Sequence, residues 1–374
     1  MRYNHYYRDS AAQVILALFD PSSYTNMPTF PHDTERDQAL LNWLKTLILP
    51  FGLILNTLTP ASGDASFRRY FRVQGHAYTY VVMDAPPPKE NVEPFIDITN
   101  RLEKTGLNIP RIVAQQIKDG FLLLTDLGPT TYYSRIQAGL DGATLDLIYR
   151  DAIDALVKLQ AADYQGLARL DAPRLRDELN LFTEWYVNIH CNQTLTDTES
   201  KQCDAIFDLL AQAGAAQETV LVHRDFHSPN LMLCKQPEWG GNPGVLDYQD
   251  ALEGPIAYDI ASLVFDARTT WEEPQQLDWA IRYWEKARQQ NLPVPSDFSD
   301  FHQNYEWVGL QRNLRILGVF ARLNHRDHKP SYVDHMPRVM TYIRQVTQRY
   351  SVFAPLNRLL NRLEGIQIKA GYTF

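Results

Sequence analysis

Three side chains of this 374-residue chain stand in the order and spacing that a phosphoryl-transfer centre needs. Asp225 lies in His223-Arg224-Asp225-Phe226-His227-Ser228-Pro229-Asn230, so Asn230 follows it by five residues. Asp247, in Gly244-Val245-Leu246-Asp247-Tyr248-Gln249-Asp250, comes seventeen residues after Asn230. Phosphoryl transfer asks a protein chiefly to position a nucleophile and to neutralise phosphate charge with Mg²⁺. A hard cation takes oxygen ligands, here the carbonyl of Asn230 and the carboxylate of Asp247. A separate carboxylate, Asp225, can orient an acceptor hydroxyl and take its proton. Strand-like residues between Asn230 and Asp247 predict a hairpin that sets the two ligands side by side. Asp and Asn abound in turns, so any one of the three alone says little. The set, with each residue type suited to its role, points to chemistry.

The elements that must position these residues fall into two groups. Residues 1–33 show no sustained period and read as a loosely attached extension. Thr34 is placed to cap a helix whose apolar face is Leu40, Leu41, Leu44 and Ile48. Strands are predicted over 67–73 and 78–83, joined at Gln74-Gly75, and over 111–117 and 121–125, joined at Asp119-Gly120. Between the pairs, Glu93-Pro94 opens a helix that ends near Gly106. After Asp126-Leu127-Gly128-Pro129 the pattern turns helical, over 143–162, 173–190, 199–213, 274–289, 300–324 and 334–349. A strand-rich island at 219–247 interrupts it. This order predicts a bilobal α+β enzyme with an N-lobe over 34–127 and a C-lobe over 128–374.

Composition narrows the classes. Forty-five per cent of residues are hydrophobic and 21% charged, a globular balance that excludes a mostly disordered chain. A net charge of −8 gives no general attraction for nucleic acid or anionic membrane. No apolar run approaches the ~18 residues of a membrane span. The apolar stretch at 11–19 runs into Asp20-Pro21 without a small-x-small cleavage site. Cys191, Cys203 and Cys234 are odd in number and lack metal-ligand spacing, so free thiols in a cytoplasmic protein are expected. Nothing in the sequence calls for an obligate protein partner.

His223-x-Asp225-x₄-Asn230 with Asp247, followed by Gly254-Pro255-x-x-Tyr258-Asp259-x-Ala261, resembles the motif set of the aminoglycoside phosphotransferase and choline kinase superfamily. The resemblance runs from about residue 34 onward. It implies a protein-kinase-like fold, ATP and Mg²⁺ as cofactors, Asp225 as catalytic base, and Asn230 and Asp247 as metal ligands. Three further segments are similar to the bacterial anomeric sugar kinases of peptidoglycan recycling: Leu58 to Arg72, Met83-Asp84-Ala85-Pro86-Pro87, and Gln311-Arg312-Asn313 with Gly318 to Leu323. That likeness implies a small sugar as partner, N-acetylmuramate or N-acetylglucosamine, phosphorylated at its 1-hydroxyl. The alternatives are a kinase of another small hydroxyl compound, such as an aminoglycoside or an amino alcohol, and a non-catalytic nucleotide-binding regulator.

Ser62-Gly63-Asp64-Ala65-Ser66 is expected over the nucleotide phosphates, where small residues let backbone N–H groups approach. Thr125 and Leu127 flank the expected hinge, whose backbone would face adenine. The chain departs from the kinase pattern on its third strand, where Met83 stands in place of the usual phosphate-binding cation. Arg68, Arg72 and Lys89 are candidate replacements, and Arg69 is preferred because alternation puts it on the strand face opposite Arg68 and Arg72. Asp259 reads as a buried brace for the catalytic loop. For the acceptor, Glu178 and Trp185 lie within reach of one helix face. Arg312 or Arg322 could meet a sugar carboxylate.

Overall fold

The computed structural model describes residues 35–63, 67–87, 89–234 and 241–366, with the backbone alone at Ser62 and Gly63. The expected extension, the Thr34 cap and the loop residues Asp64, Ala65 and Ser66 lie outside the described residues. Two compact units emerge: residues up to Val92 with Ile112–Asp126, and Glu93–Arg111 with Leu127 onward.

In the first unit, α1 (Glu35–Thr46) and the short α2 (Ile48–Phe51) precede a sheet of five antiparallel strands. These are β1 (Ile54–Gly63), β2 (Arg69–Gln74), β3 (Thr79–Asp84), β4 (Ile112–Gln116) and β5 (Phe121–Thr125), in the order β1-β2-β3-β5-β4. Alternation sorts β2 into two faces. Phe71 and Val73 point at Leu40, Leu41 and Leu44 of α1 and form one core with Val82 and Leu123. Tyr70 and Arg72 take the other face. Cross-strand partners share a face, so Arg69 lies with Asp84 on the α1 side, and Met83 lies with Tyr70 on the opposite side. Asp84 is wholly buried and accepts from Arg36 and Arg69, and Arg69 also reaches Asp37 at 2.7 Å. These pairs fasten α1 to β2 and β3. Gly120, at φ 72° in the β4–β5 turn, is required: a Cβ there would sit 1.9 Å from the Ala85 carbonyl oxygen.

The second unit begins with α3 (Glu93–Glu103), which sequence order had grouped with the strands. Phe95 of α3 stacks on Tyr248 at 5.1 Å, and the Thr99 and Tyr248 hydroxyls meet at 2.8 Å. The helices α4 (Tyr132–Gln137), α5 (Gly142–Gln160), α6 (Ala172–Leu181) and α7 (Asp197–Ala215) follow. Four short strands then come as two antiparallel pairs. β6 (Thr219–Val222) pairs with β9 (Leu252–Pro255), and β7 (Leu231–Met232) with β8 (Gly244–Val245). The chain closes with α8 (Tyr258–Val264), α9 (Glu273–Gln289), α10 (Phe298–His325), α11 (Met336–Arg349) and α12 (Ala354–Leu363). The single helix expected over 173–190 is in fact α6 followed by a π-helix, Phe182–His190. Gly318 of α10 meets this junction: a Cβ there would fall 2.3 Å from the Leu181 carbonyl. The two backbones thus approach more closely than any side chain allows. The sequence patterns set no bounds for β1, α4, β9, α8 and α12. Of these, α4 and β9 are only six and four residues long, too short for a period to show.

Candidate active site

The loop after β6 holds the candidate catalytic residues, and buried groups fix its shape. Asp259, on α8, accepts the backbone N–H of His223 at 2.7 Å and of Arg224 at 3.0 Å. It is the brace expected from the sequence. Burial pushes its carboxyl up to about 6, against the pull of His223 and the two N–H groups. His223 Nε2 bonds the Leu246 carbonyl at 2.8 Å, which ties the loop to the segment leading into Asp247. Arg224 and Asp247 both hold left-handed backbone, φ 77° and 64°, a conformation that costs a non-glycine residue free energy and clusters at functional sites.

Asn230 ends a short 3₁₀ turn, and its side-chain N–H donates to the Asp225 carbonyl at 2.9 Å. The β7–β8 pairing, with Leu246 N–H donating to the Asn230 carbonyl at 2.9 Å, sets Asn230 beside Asp247. Their amide nitrogen and carboxylate oxygen are 3.5 Å apart. Gln249 steadies the other Asp247 oxygen at 2.8 Å. Among the described residues no cluster of three His, Cys, Asp or Glu side chains could hold a metal. An amide oxygen and one carboxylate nevertheless suit Mg²⁺, which keeps several waters and takes its remaining ligands from phosphate oxygens.

The Asp225 side chain is 45% exposed, and Arg312 Nη2 and His227 Nε2 lie 3.8 and 4.0 Å from its Oδ1. Burial in the site works to raise its pKa. The charges of His227, Arg315, Arg312 and His223 outweigh it and hold the carboxyl down at about 2. Asp225 is therefore an anion throughout the physiological range, ready to accept a hydrogen bond from a hydroxyl. Arg312, on α10, is only 3% exposed. Its Nε and Nη1 have no hydrogen-bond partner among the described residues. A buried cation with unmet donors is costly, and donors so placed beside an accessible carboxylate could bind a ligand.

Other expected residues fall elsewhere. Glu178 is held by Arg224, by Arg315 at 3.4 Å and by Gln311 at 3.5 Å, so it sets the arginines around the loop. Trp185, in the π-helix, packs against the apolar core of α6, α7, α10 and α11. Arg322 is ten residues beyond Arg312, about 15 Å along the helix. In the first unit, Ser62 and Gly63 end β1 opposite Tyr70 and Arg69. Thr125 ends β5, buried, opposite Tyr80. Leu127, in the second unit, is buried and its carbonyl accepts from the Cys234 thiol at 3.5 Å. Arg69 belongs to the Asp37–Asp84 network on the α1 side of the sheet.

Two participants had not been expected. Arg315 follows Arg312 by three residues, so the helical period was an available signal. Asp266 accepts from the Ser228 hydroxyl and, at 3.1 Å, from its N–H; nothing local in the sequence distinguishes it.

No helix of the described residues is long and apolar enough to cross a membrane. The model of the phosphotransferase enzyme family matches residues 57–296. An N-acetylmuramate/N-acetylglucosamine kinase of Pseudomonas putida is 43% identical over 309 residues, 82% of this chain and 88% of that protein. One of Neisseria meningitidis is 40% identical over 343 residues, 91% of this chain and all of that protein. Among solved structures, the ADP-bound aminoglycoside phosphotransferase APH(2'')-Ib has a TM-score of 0.55 at 15% identity, covering 84% of this chain and 99% of its own. Choline kinase LicA from Streptococcus pneumoniae has a TM-score of 0.54 at 14% identity, covering 82% and 99%. At that identity the likeness is one of fold, a bilobal α+β arrangement. A family match over more than half the chain, spanning the Asp225–Asn230–Asp247 loop, identifies this protein as a member of the phosphotransferase enzyme family.

Proposed function

We propose that this protein is an ATP- and Mg²⁺-dependent sugar kinase that phosphorylates the anomeric 1-hydroxyl of N-acetylmuramate and N-acetylglucosamine. The observation that carries the reading is the accessible Asp225 carboxylate, 3.8 Å from the buried Arg312, on the loop whose hairpin sets Asn230 beside Asp247. Relatives 40–43% identical over most of the chain bear that enzyme name, which supports the choice of acceptor.

In this reading Asp225 accepts a hydrogen bond from the 1-hydroxyl and orients its oxygen toward the γ-phosphorus. The new O–P bond forms as the bond to the ADP oxygen breaks, and the hydroxyl proton passes to Asp225. Asn230 and Asp247 would hold Mg²⁺, which would supply neutralisation of the phosphate charge. Ser62 and Gly63, which end β1, would meet the phosphates through their backbone, while Thr125 and Leu127 would border the adenine. Arg312 contacts the acceptor. An aminoglycoside is a polycation and would favour an acidic site. Around Asp225 the cations are instead Arg312 and Arg315, with His223 and His227, and Glu178 is already committed to Arg315 and Arg224. That balance favours a neutral or anionic sugar.

The test is a panel of amino sugars, aminoglycosides and amino alcohols incubated with ATP and Mg²⁺ and followed by phosphorus NMR. Anomeric phosphates of the two N-acetyl sugars are expected. Phosphate on another hydroxyl, or on an aminoglycoside alone, overturns the reading.

A further inference from the structure

Met83 leaves the third strand without a cation, and the sheet shows where one can be restored. A residue that replaces it must share its face of the sheet and lie at the same end of the strands. Met83 is one residue from the end of β3 and faces away from α1, paired with Tyr70. Arg36 and Arg69 fail on face, because both bond Asp84 on the α1 side. Arg72 has the right face but the wrong end. It pairs with Val81, and its guanidinium grips Asp126 past the end of β5 at 2.5 and 2.9 Å. Arg68 meets both conditions. It stands just before β2, two residues ahead of Tyr70 and at the Met83 end of the strand pair, so the alternation of β2 carried back one residue puts it on the Met83 face.

Arg68 also has a carboxylate partner. Its Nε donates to Glu90 at 3.1 Å, and the other Glu90 oxygen accepts the Phe67 N–H at 3.2 Å. Glu90 therefore fixes both the side chain and the backbone where the chain enters β2. Lys89 adds a second cation, its Nζ lying 4.6 Å from the centre of the exposed Phe67 ring. Kinase-like sites use a cation–glutamate pair to hold nucleotide phosphates, with the cation on the third strand. We propose that Arg68, oriented by Glu90, is the cation that binds the nucleotide's phosphates in this protein, standing just before the second strand rather than on the third. A guanidinium suits this position, since its planar fork can meet two phosphate oxygens at once. The inference rests on the nucleotide-dependent kinase reading above.

The experiment titrates full-length protein with a fluorescent ATP analogue and Mg²⁺, with thermal melting run in parallel. Arg68→Met should weaken nucleotide affinity on the order of tenfold, the worth of one charge-assisted hydrogen bond. Arg68→Lys should recover part of the loss, and Glu90→Gln should show a smaller defect of the same kind. Arg69→Met should show its defect in melting temperature, not in nucleotide Kd. A normal Kd for Arg68→Met, or a larger Kd defect for Arg69→Met, overturns the proposal. Should Arg68→Met fail to fold, the Arg68→Lys and Glu90→Gln titrations decide it by the same criterion. Failure of the unaltered protein to bind nucleotide would bring down the kinase reading and this inference together.

Discussion

Two charge systems with buried members, one in each unit, are built on opposite principles. In the first unit Asp84 has two arginine partners, and one of them, Arg69, has a second carboxylate in Asp37. Every charge there is answered, as a buried ion pair must be if it is not to cost stability. In the second unit the cations crowd around Asp225 without closing on it. Arg312 stops at 3.8 Å, and two of its donors have no partner among the described residues. A network whose charges are all matched holds strands and helix together. One left incomplete has room for a substrate to complete it. The difference separates scaffold from site more sharply than burial alone, since Asp84 and Arg312 are both buried.

The largest break in that contrast should come at Asp225. Asp225→Asn should lower kcat by about 10²–10⁴, the range of acid–base groups, with nucleotide affinity nearly unchanged. Steady-state kinetics and nucleotide titration check both halves, and retention of more than about a tenth of the rate would end its role as base. Because its carboxyl is held at about 2, its protonation should produce no fall in rate between about pH 8 and 5. The sign for stability follows from a pKa lowered on folding. The stabilisation is present above the ordinary value of 3.8 and is lost as pH falls through about 2.

A smaller effect is expected at the proposed metal ligands. Asp247→Ala should raise the Mg²⁺ concentration needed for half-maximal rate by roughly tenfold or more, and Asn230→Ala by less, because a carboxylate is the stronger hard-cation ligand. Metal titrations that coincide with those of the unaltered protein would place the site elsewhere.

The smallest expected effect on catalysis belongs to the matched network. Asp84→Asn leaves Arg36 and Arg69 without their shared anion. Both arginines are partly exposed, so the cost is about 1–3 kcal/mol, less than for a fully buried pair. A fall in melting temperature of several degrees is expected. A loss of activity out of proportion to that fall would show the Asp84 network to be part of the site.

How much was legible in the sequence differs between the same two units. The catalytic loop was readable because its parts are close in sequence. Asn230 follows Asp225 by five residues, and a two-strand hairpin places Asp247 beside them. Local geometry leaves such a loop few arrangements. Strands β2 to β5, α1 and most of the long helices were legible for a related reason, since their apolar periods run over several residues. Their grouping was not: the packing of Phe95 and Thr99 on Tyr248 sends α3 to the second unit, and Thr99 meets Tyr248 across 149 positions.

By itself, then, the sequence determined the residue types and spacing of the catalytic loop, the succession of strands and helices, and the loss of the third-strand cation to Met83. Alternation along β2 also followed from sequence, dividing Arg69 from Arg68 and Arg72. Which of those faces turns toward α1 was decided only by the tertiary structure, through the packing of Phe71 and Val73 against Leu40, Leu41 and Leu44. Only the tertiary structure brought Arg312 from α10 to Asp225, and committed Glu178 to Arg224 and Arg315. The physical reason is range. Backbone preference and side-chain period act over a few residues, whereas a guanidinium finds its carboxylate only after distant helices have packed.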